Sequence, residues 1–219
     1  MLTLLGCVAV GPTTEEALSQ TPAAIAAFLR FQGRHGETPG GEGEISTAVV
    51  EHITEGEWLG NGSPYLTFGP DLLPVDPKEL GVLLARFRSL QEELAGWCAT
   101  QTPAQLDSTP AEPGRTARAV LLHTLGTPGA YLAAALGGAP GFSRVHGQAE
   151  RGQLELPQAF SLVGEMATER AQATSDLERS QVRERSGTRR TLRKALRRML
   201  EHDWEHLAEL ARRPGGPAL

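Results

Sequence analysis

From Asp76 onward, apolar residues recur every three to four positions in four stretches long enough to be bundle helices. The first, "DPKELGVLLARFRSLQEELAGWCATQ" (76–101), opens with Asp76 as an N-cap and Pro77 at the first helical position. The second is "RTARAVLLHTLGTPGAYLAAALGG" (115–138), where Pro128 removes a bond to the Thr124 carbonyl and predicts a kink. The third and fourth cover 156–180 and 188–213. A loop at 102–114 and a long Gly-rich connection at 137–156 separate them, so the pattern predicts a four-helix bundle with one long crossover.

The first third has a different pattern. "LTLLGCVAV" (2–10) is a compact apolar run that reads as a buried strand, broken by Gly11-Pro12. A helix is predicted over 13–36, capped by Thr13 with Glu16 as partner, bent or interrupted at Pro22 and stopped by Gly33 and Gly36. "EISTAVVEHI" (44–53) alternates as a strand does, and 54–76 reads as loop. The fold class is therefore α+β overall: a small α/β segment over 1–70, an all-α bundle over 76–213 and a frayed tail at 214–219.

Composition narrows the function classes. Aromatics make up 5% of the chain, so alanine and leucine carry much of the packing, which favours helices. A net charge of −5 gives no global reason for nucleic-acid or membrane binding. No segment is read as a membrane span, and the apolar start is too short for one. Cys7 and Cys98 form no CxxC pair, which fits a reduced, cytoplasmic setting.

Candidate chemistry gathers on the last helix. His202 and His206 in "LEHDWEHLAEL" lie one turn apart and share a face. On a helical wheel the apolar arc is Leu192, Leu196, Met199, Leu200, Leu207 and Leu210; His206 falls just inside its edge, His202 just outside, and Asp203 near its middle. The spacing alone is compatible with two metal ligands or two solvated polar residues. HExxH is absent. His123, in the apolar setting "AVLLHTLG", reads as a core histidine or as a third ligand from a facing helix. Three neutral imidazoles suit zinc, nickel or iron and leave coordination positions open.

Asp203 on a buried arc needs a partner, expected to be an arginine or a backbone group at a helix end. The basic run Arg189, Arg190, Arg193, Lys194, Arg197 and Arg198 reads as a solvated face. Glu205 and Glu209 are expected in solvent, and His35, His52 and His146 at the surface.

"RTLRKALRRMLEHDWEHLAEL" and "AVLLHTLGTPGAYLAAALG" resemble the last and second helices of the DinB family, which includes YfiT-like proteins. The resemblance covers about residues 76–213. It implies an up-down-down-up bundle and a divalent metal, nickel or zinc, held by His123, His202 and His206, with Asp203 behind them. It also implies a metal-dependent thiol S-transferase or hydrolase acting on a low-molecular-weight thiol or other small molecule. The chain departs from the family in "PGRTARAV", which lacks the usual tryptophan, and in "TPGAY" after the first histidine; both bear on substrate chemistry. "LLGCVAVGPTTEEALSQTPAAIAAFL" resembles the later half of HicB-type antitoxin domains. That implies a partial HicB-like domain over 1–70, an exposed strand edge suited to a homodimer, and an alternative role as a non-catalytic binding or regulatory protein. The catalytic residues and substrate are not legible.

Overall fold

The computed structural model describes residues 1, 3–37, 46–59, 63–110 and 114–219. In chain order the elements are α1 (Thr14–Arg34), a 3-10 turn (Gly69–Leu72), α2 (Pro77–Ala99), α3 (Pro103–Leu106), α4 (Ala117–Leu136), α5 (Phe142–Glu150), α6 (Leu156–Gln172), α7 (Asp176–Ser180), β1 (Arg183–Arg185), β2 (Thr188–Arg190) and α8 (Leu192–Ala211). Side-chain caps set the starts of the long helices. Asp76 Oδ1 accepts the Glu79 N–H at 2.9 Å, Thr116 Oγ1 that of Ala119 at 3.2 Å, and Thr191 Oγ1 that of Lys194 at 3.0 Å.

Helices α2, α4, α6 and α8 form the bundle, with α2 beside α6 and α8, and α4 beside the same two. Named contacts give their directions. Glu79 meets Arg193 and Gln91 meets Asp203, so α2 and α8 run parallel. Arg115, just before α4, reaches Glu209, near the end of α8, so these two run antiparallel. Arg170 at the end of α6 bonds the Gly138 carbonyl just beyond α4, which makes α4 and α6 parallel. The order is up, down, down, up, and the parallel step is carried by the 137–156 connection. That connection is not bare loop. It contains α5, whose Phe142 and Val145 join the core.

Neither proline interrupts its helix. At Pro128 the freed Thr124 carbonyl accepts the Thr127 hydroxyl at 3.0 Å instead. The 3.6-residue pattern read as continuous over 156–180 breaks after Gln172, and the chain passes through α7 and the β1–β2 hairpin before α8. Helix α4 is long and apolar enough to cross a membrane by length and composition, and half of it is buried within the bundle.

The expected strands do not form: residues 3–10 and 46–53 carry no strand, while Leu2, Glu44 and Ile45 lie outside the described residues. The middle of the apolar run, Gly6 and Cys7, is buried by packing on helices rather than by pairing, while Leu4, Leu5 and Val8 are half-buried and Val10 is exposed. A Cβ on Gly6 would sit 2.8 Å from the Phe28 ring and 3.3 Å from Leu200; Cys7 is fully buried, and Arg86 of α2 donates to the Leu5 carbonyl at 2.7 Å. Helix α1 shares the same core, with Phe28 edge-on to Trp204 of α8 at 4.9 Å and Phe31 at 5.5 Å. Among the described residues of 1–70, nothing resembles a HicB-like sheet.

Candidate metal centre

Because α4 and α8 are antiparallel neighbours, His123, one and a half turns into α4, faces the second half of α8. The structure brings His123, His202 and His206 together, with one ring nitrogen of each within 4.8 Å of the others. Nε2 of His123 and Nε2 of His202 are 3.0 Å apart. Ring centroids are 4.9 Å apart for His123–His202, 5.0 Å for His123–His206 and 4.4 Å for His202–His206. His202 is 6% exposed, the His206 side chain 13%, and His123 is exposed, so the cluster opens on the α4 side. The order of burial of the two α8 histidines is the reverse of the wheel's, because the α4 side chains of His123, Thr127 and Tyr131 pack on His202.

The other ring nitrogens are held from behind. Thr127 gives its proton to the Thr124 carbonyl at 3.0 Å, so its oxygen accepts the Nδ1–H of His202 at 3.2 Å. Glu209 Oε2 accepts the Nδ1–H of His206 at 2.8 Å, and is itself gripped by Arg115 at 3.0 Å, while its Oε1 takes Arg213 at 3.1 Å. Both arrangements leave the Nε2 lone pairs free and aimed inward, as ligand histidines require. Burial, with the neighbouring His206 and His123, pushes the His202 imidazole down to about 2. Burial also lowers His123. The His206 hydrogen bond leads a drop of Glu209 to about 2. Neutral His123 and His202 are in the protonation state a divalent cation needs.

Asp203 is fully buried, as its place on the arc predicts, yet its partner is neither an arginine nor a helix end. Gln91 of α2 donates its amide to Oδ2. Oδ1 has no hydrogen-bond partner among the described residues, and its distance to His202 Nδ1 is 3.8 Å, too long for a bond. Burial raises the Asp203 carboxyl well above its ordinary value of 3.8. Asp203 thus turns Oδ2 into the α2 interface and makes no hydrogen bond to the histidine cluster among the described residues.

Several expectations for surface residues are corrected. Glu209 is half-buried as the partner of His206, a link that the i,i+3 spacing would have revealed. Glu205 is also half-buried, and burial raises its carboxyl. The basic run is not a solvated face: Lys194, Arg197 and Arg198 are 5%, 2% and 5% exposed. Segment 63–76 lies over it. Asp71 takes Arg197 at 2.7 and 2.9 Å, and Glu201 takes Arg197 at 2.6 Å and Arg198 at 2.8 Å. His52 is exposed as expected, whereas His35 is half-buried against Glu93 at 3.0 Å and His146 half-buried on α5 against Gly126. Cys7 and Cys98 are free and buried, and burial pushes both thiols up to about 11, so neither is poised as a ligand or nucleophile.

The donor set fits a divalent metal. The 3.0 Å between the two Nε2 atoms is close to the ~3.3 Å separating ligand nitrogens at a tetrahedral ion with bonds of 2.0–2.1 Å. No curated protein and no solved structure matches the chain. A family model described as the DinB superfamily matches residues 82–210, which span α2 to α8 and contain all three histidines, and the chain therefore belongs to the DinB superfamily.

Proposed function

We propose that the protein binds one divalent metal ion through Nε2 of His123, His202 and His206, and uses it in a metal-dependent transfer of a small thiol, with hydrolysis as the alternative reaction. The observation that carries this reading is the convergence of three imidazoles whose Nδ1 atoms, in two cases, are already committed to Thr127 and Glu209. Membership in a superfamily of metal-binding proteins supports it. The borderline softness of three imidazoles favours nickel or zinc, with iron next.

A bound ion would supply a Lewis acid that lowers the pKa of a water or thiol at its open position. The chain's own residues do the rest. Thr127 and Glu209 fix ring orientation and tautomer. The exposed side of His123 is the entry for a substrate. Tyr131, one turn beyond Thr127, stands edge-on to His202 at 6.3 Å between ring centroids and borders that entry. Asp203 takes no part in proton transfer, because it is sealed from solvent and, among the described residues, hydrogen-bonded to Gln91 alone.

Metal content of the untagged protein, measured after reconstitution with nickel, zinc or iron, tests the reading. Stoichiometric metal that is lost in His202→Ala supports it. A wild-type protein that holds none of the three is not a metalloprotein of this kind. With metal bound, turnover of a model electrophile only when a small thiol is present distinguishes transfer from hydrolysis.

A further inference from the structure

Along the α4–α8 groove, beyond the histidines, lies a cavity of about 230 Å³. Its walls are of two kinds. Tyr65, Tyr131 and Ala134 are apolar or aromatic surfaces, and Arg190, Lys194 and Arg198 supply three cations; no carboxylate among the described residues lines it. The charges are unevenly compensated. Arg198 has Glu201 at 2.8 Å and lies over the Tyr131 ring at 5.9 Å. The Lys194 ammonium is held by neutral acceptors: the Tyr65 carbonyl at 3.3 Å, the Thr67 hydroxyl at 2.9 Å and the Arg189 carbonyl at 3.1 Å. Arg190 Nε is buried and has no hydrogen-bond partner among the described residues. Burial pushes Lys194 down to about 8, the mark of a cation short of counter-charge.

The cavity adjoins the histidine cluster. Tyr131 is common to both. Arg198 lies one turn and Lys194 two turns before His202 on α8, about 6 and 12 Å along the axis at ~1.5 Å per residue.

We propose that this pocket binds the carboxylate of a small organic acid, whose apolar body lies on Tyr131 and Ala134 and whose far end reaches the three histidines. Anion binding stands on the pocket alone; its use as the anchor of a substrate rests on the metal-dependent reading above. An acid of this kind carries its carboxylate some 6–12 Å from the atom that reacts at the histidines, by the same helical rise. Small neutral thiols would not be held there.

Calorimetric titration of benzoate and of its neutral isostere benzamide tests the pocket, on the full chain as purified and after chelation. Benzoate binds saturably in both, and benzamide at least about tenfold more weakly, the scale of a charge-assisted hydrogen bond. Arg190→Gln weakens benzoate at least about fivefold on the same scale, with benzamide and the melting temperature unchanged. Arg185→Gln, an exposed arginine of the same hairpin, has no effect. His202→Ala loses metal and keeps benzoate. Equal affinity for the two probes, an unchanged Arg190→Gln, or benzoate lost together with the metal in His202→Ala each overturns the proposal. Retained benzoate binding in a protein that takes up no metal leaves the pocket standing and removes the metal reading.

Discussion

His202 shows how much one ligand depends on its surroundings. Its Nδ1–H is accepted by Thr127, whose own proton is drawn off by a carbonyl that Pro128 leaves free. The proline that the pattern marks as a helix defect thus sets the tautomer of a candidate ligand. Thr127→Val removes the acceptor with little change in shape, and metal affinity measured by competition with a chelator should fall about 10–100-fold. Asp203 illustrates the opposite case, a charge with no chemistry to do. Its carboxyl is raised in the folded state, so between 3.8 and that raised value the native protein binds more protons than the unfolded chain, and stability falls as pH rises through the window. Asp203→Asn keeps an acceptor for Gln91 and removes the charge. In urea denaturation its advantage over wild type should be absent at low pH and grow as pH rises. Asp203→Ala leaves the Gln91 amide unpaired and should cost about 1–3 kcal/mol. The shared face of His202 and His206 and the burial of Asp203 were legible in the sequence, because helical spacing fixes angular position on one helix. Gln91 and Thr127 were not, because they sit on other helices. Glu209 lies at the local i,i+3 spacing from His206, but an acidic residue on a charged helix is solvated by default.

Helix α8 is two structures joined end to end. Its second half faces α4 with the histidines. Its first half carries Arg193, Lys194, Arg197 and Arg198, continuing the basic run that starts at Arg189 in β2, and periodicity places them mostly opposite the apolar arc, where solvent is the default. Segment 63–76 overturns that default. Asp71 forks both arms of Arg197, Thr191 donates to the Asp71 carbonyl, and Arg193 binds the Leu73 and Pro74 carbonyls at 3.2 and 2.9 Å. These contacts link residues 119 to 126 positions apart, so no local pattern could have announced them. Asp71→Asn leaves Arg197 buried with Glu201 as its sole anion, and should cost about 3–5 kcal/mol in chemical denaturation. A second expected result is greater protease sensitivity over 63–76, since the segment has no other regular structure than its 3-10 turn.

At the scale of the whole molecule, the first helix and the bundle share one core. Phe28 and Phe31 are fully buried against Trp204, and the apolar start of the chain closes over Phe28 and Leu200. Phe28→Ala should cost about 3–5 kcal/mol, and a single cooperative transition in calorimetry would accompany it, because no separate N-terminal unit is left to melt alone. A stable α1 segment that melts independently of the bundle would contradict this. The apolar run at 2–10 invited a strand because its composition fits one, but a strand needs a partner edge, and the described residues offer it a helical surface instead. By itself the sequence determined four helical stretches of bundle length, the Asp76 cap, the long connection in the middle and the face that His202 and His206 share, since all of these follow from local spacing and end chemistry. Only the tertiary structure decided that His123 meets His202 and His206, that the basic half of α8 is covered, and that an anion-sized cavity lies beside the histidines. Those outcomes depend on which helices become neighbours, and the free energy that selects neighbours is spread over the whole core rather than written in any one segment.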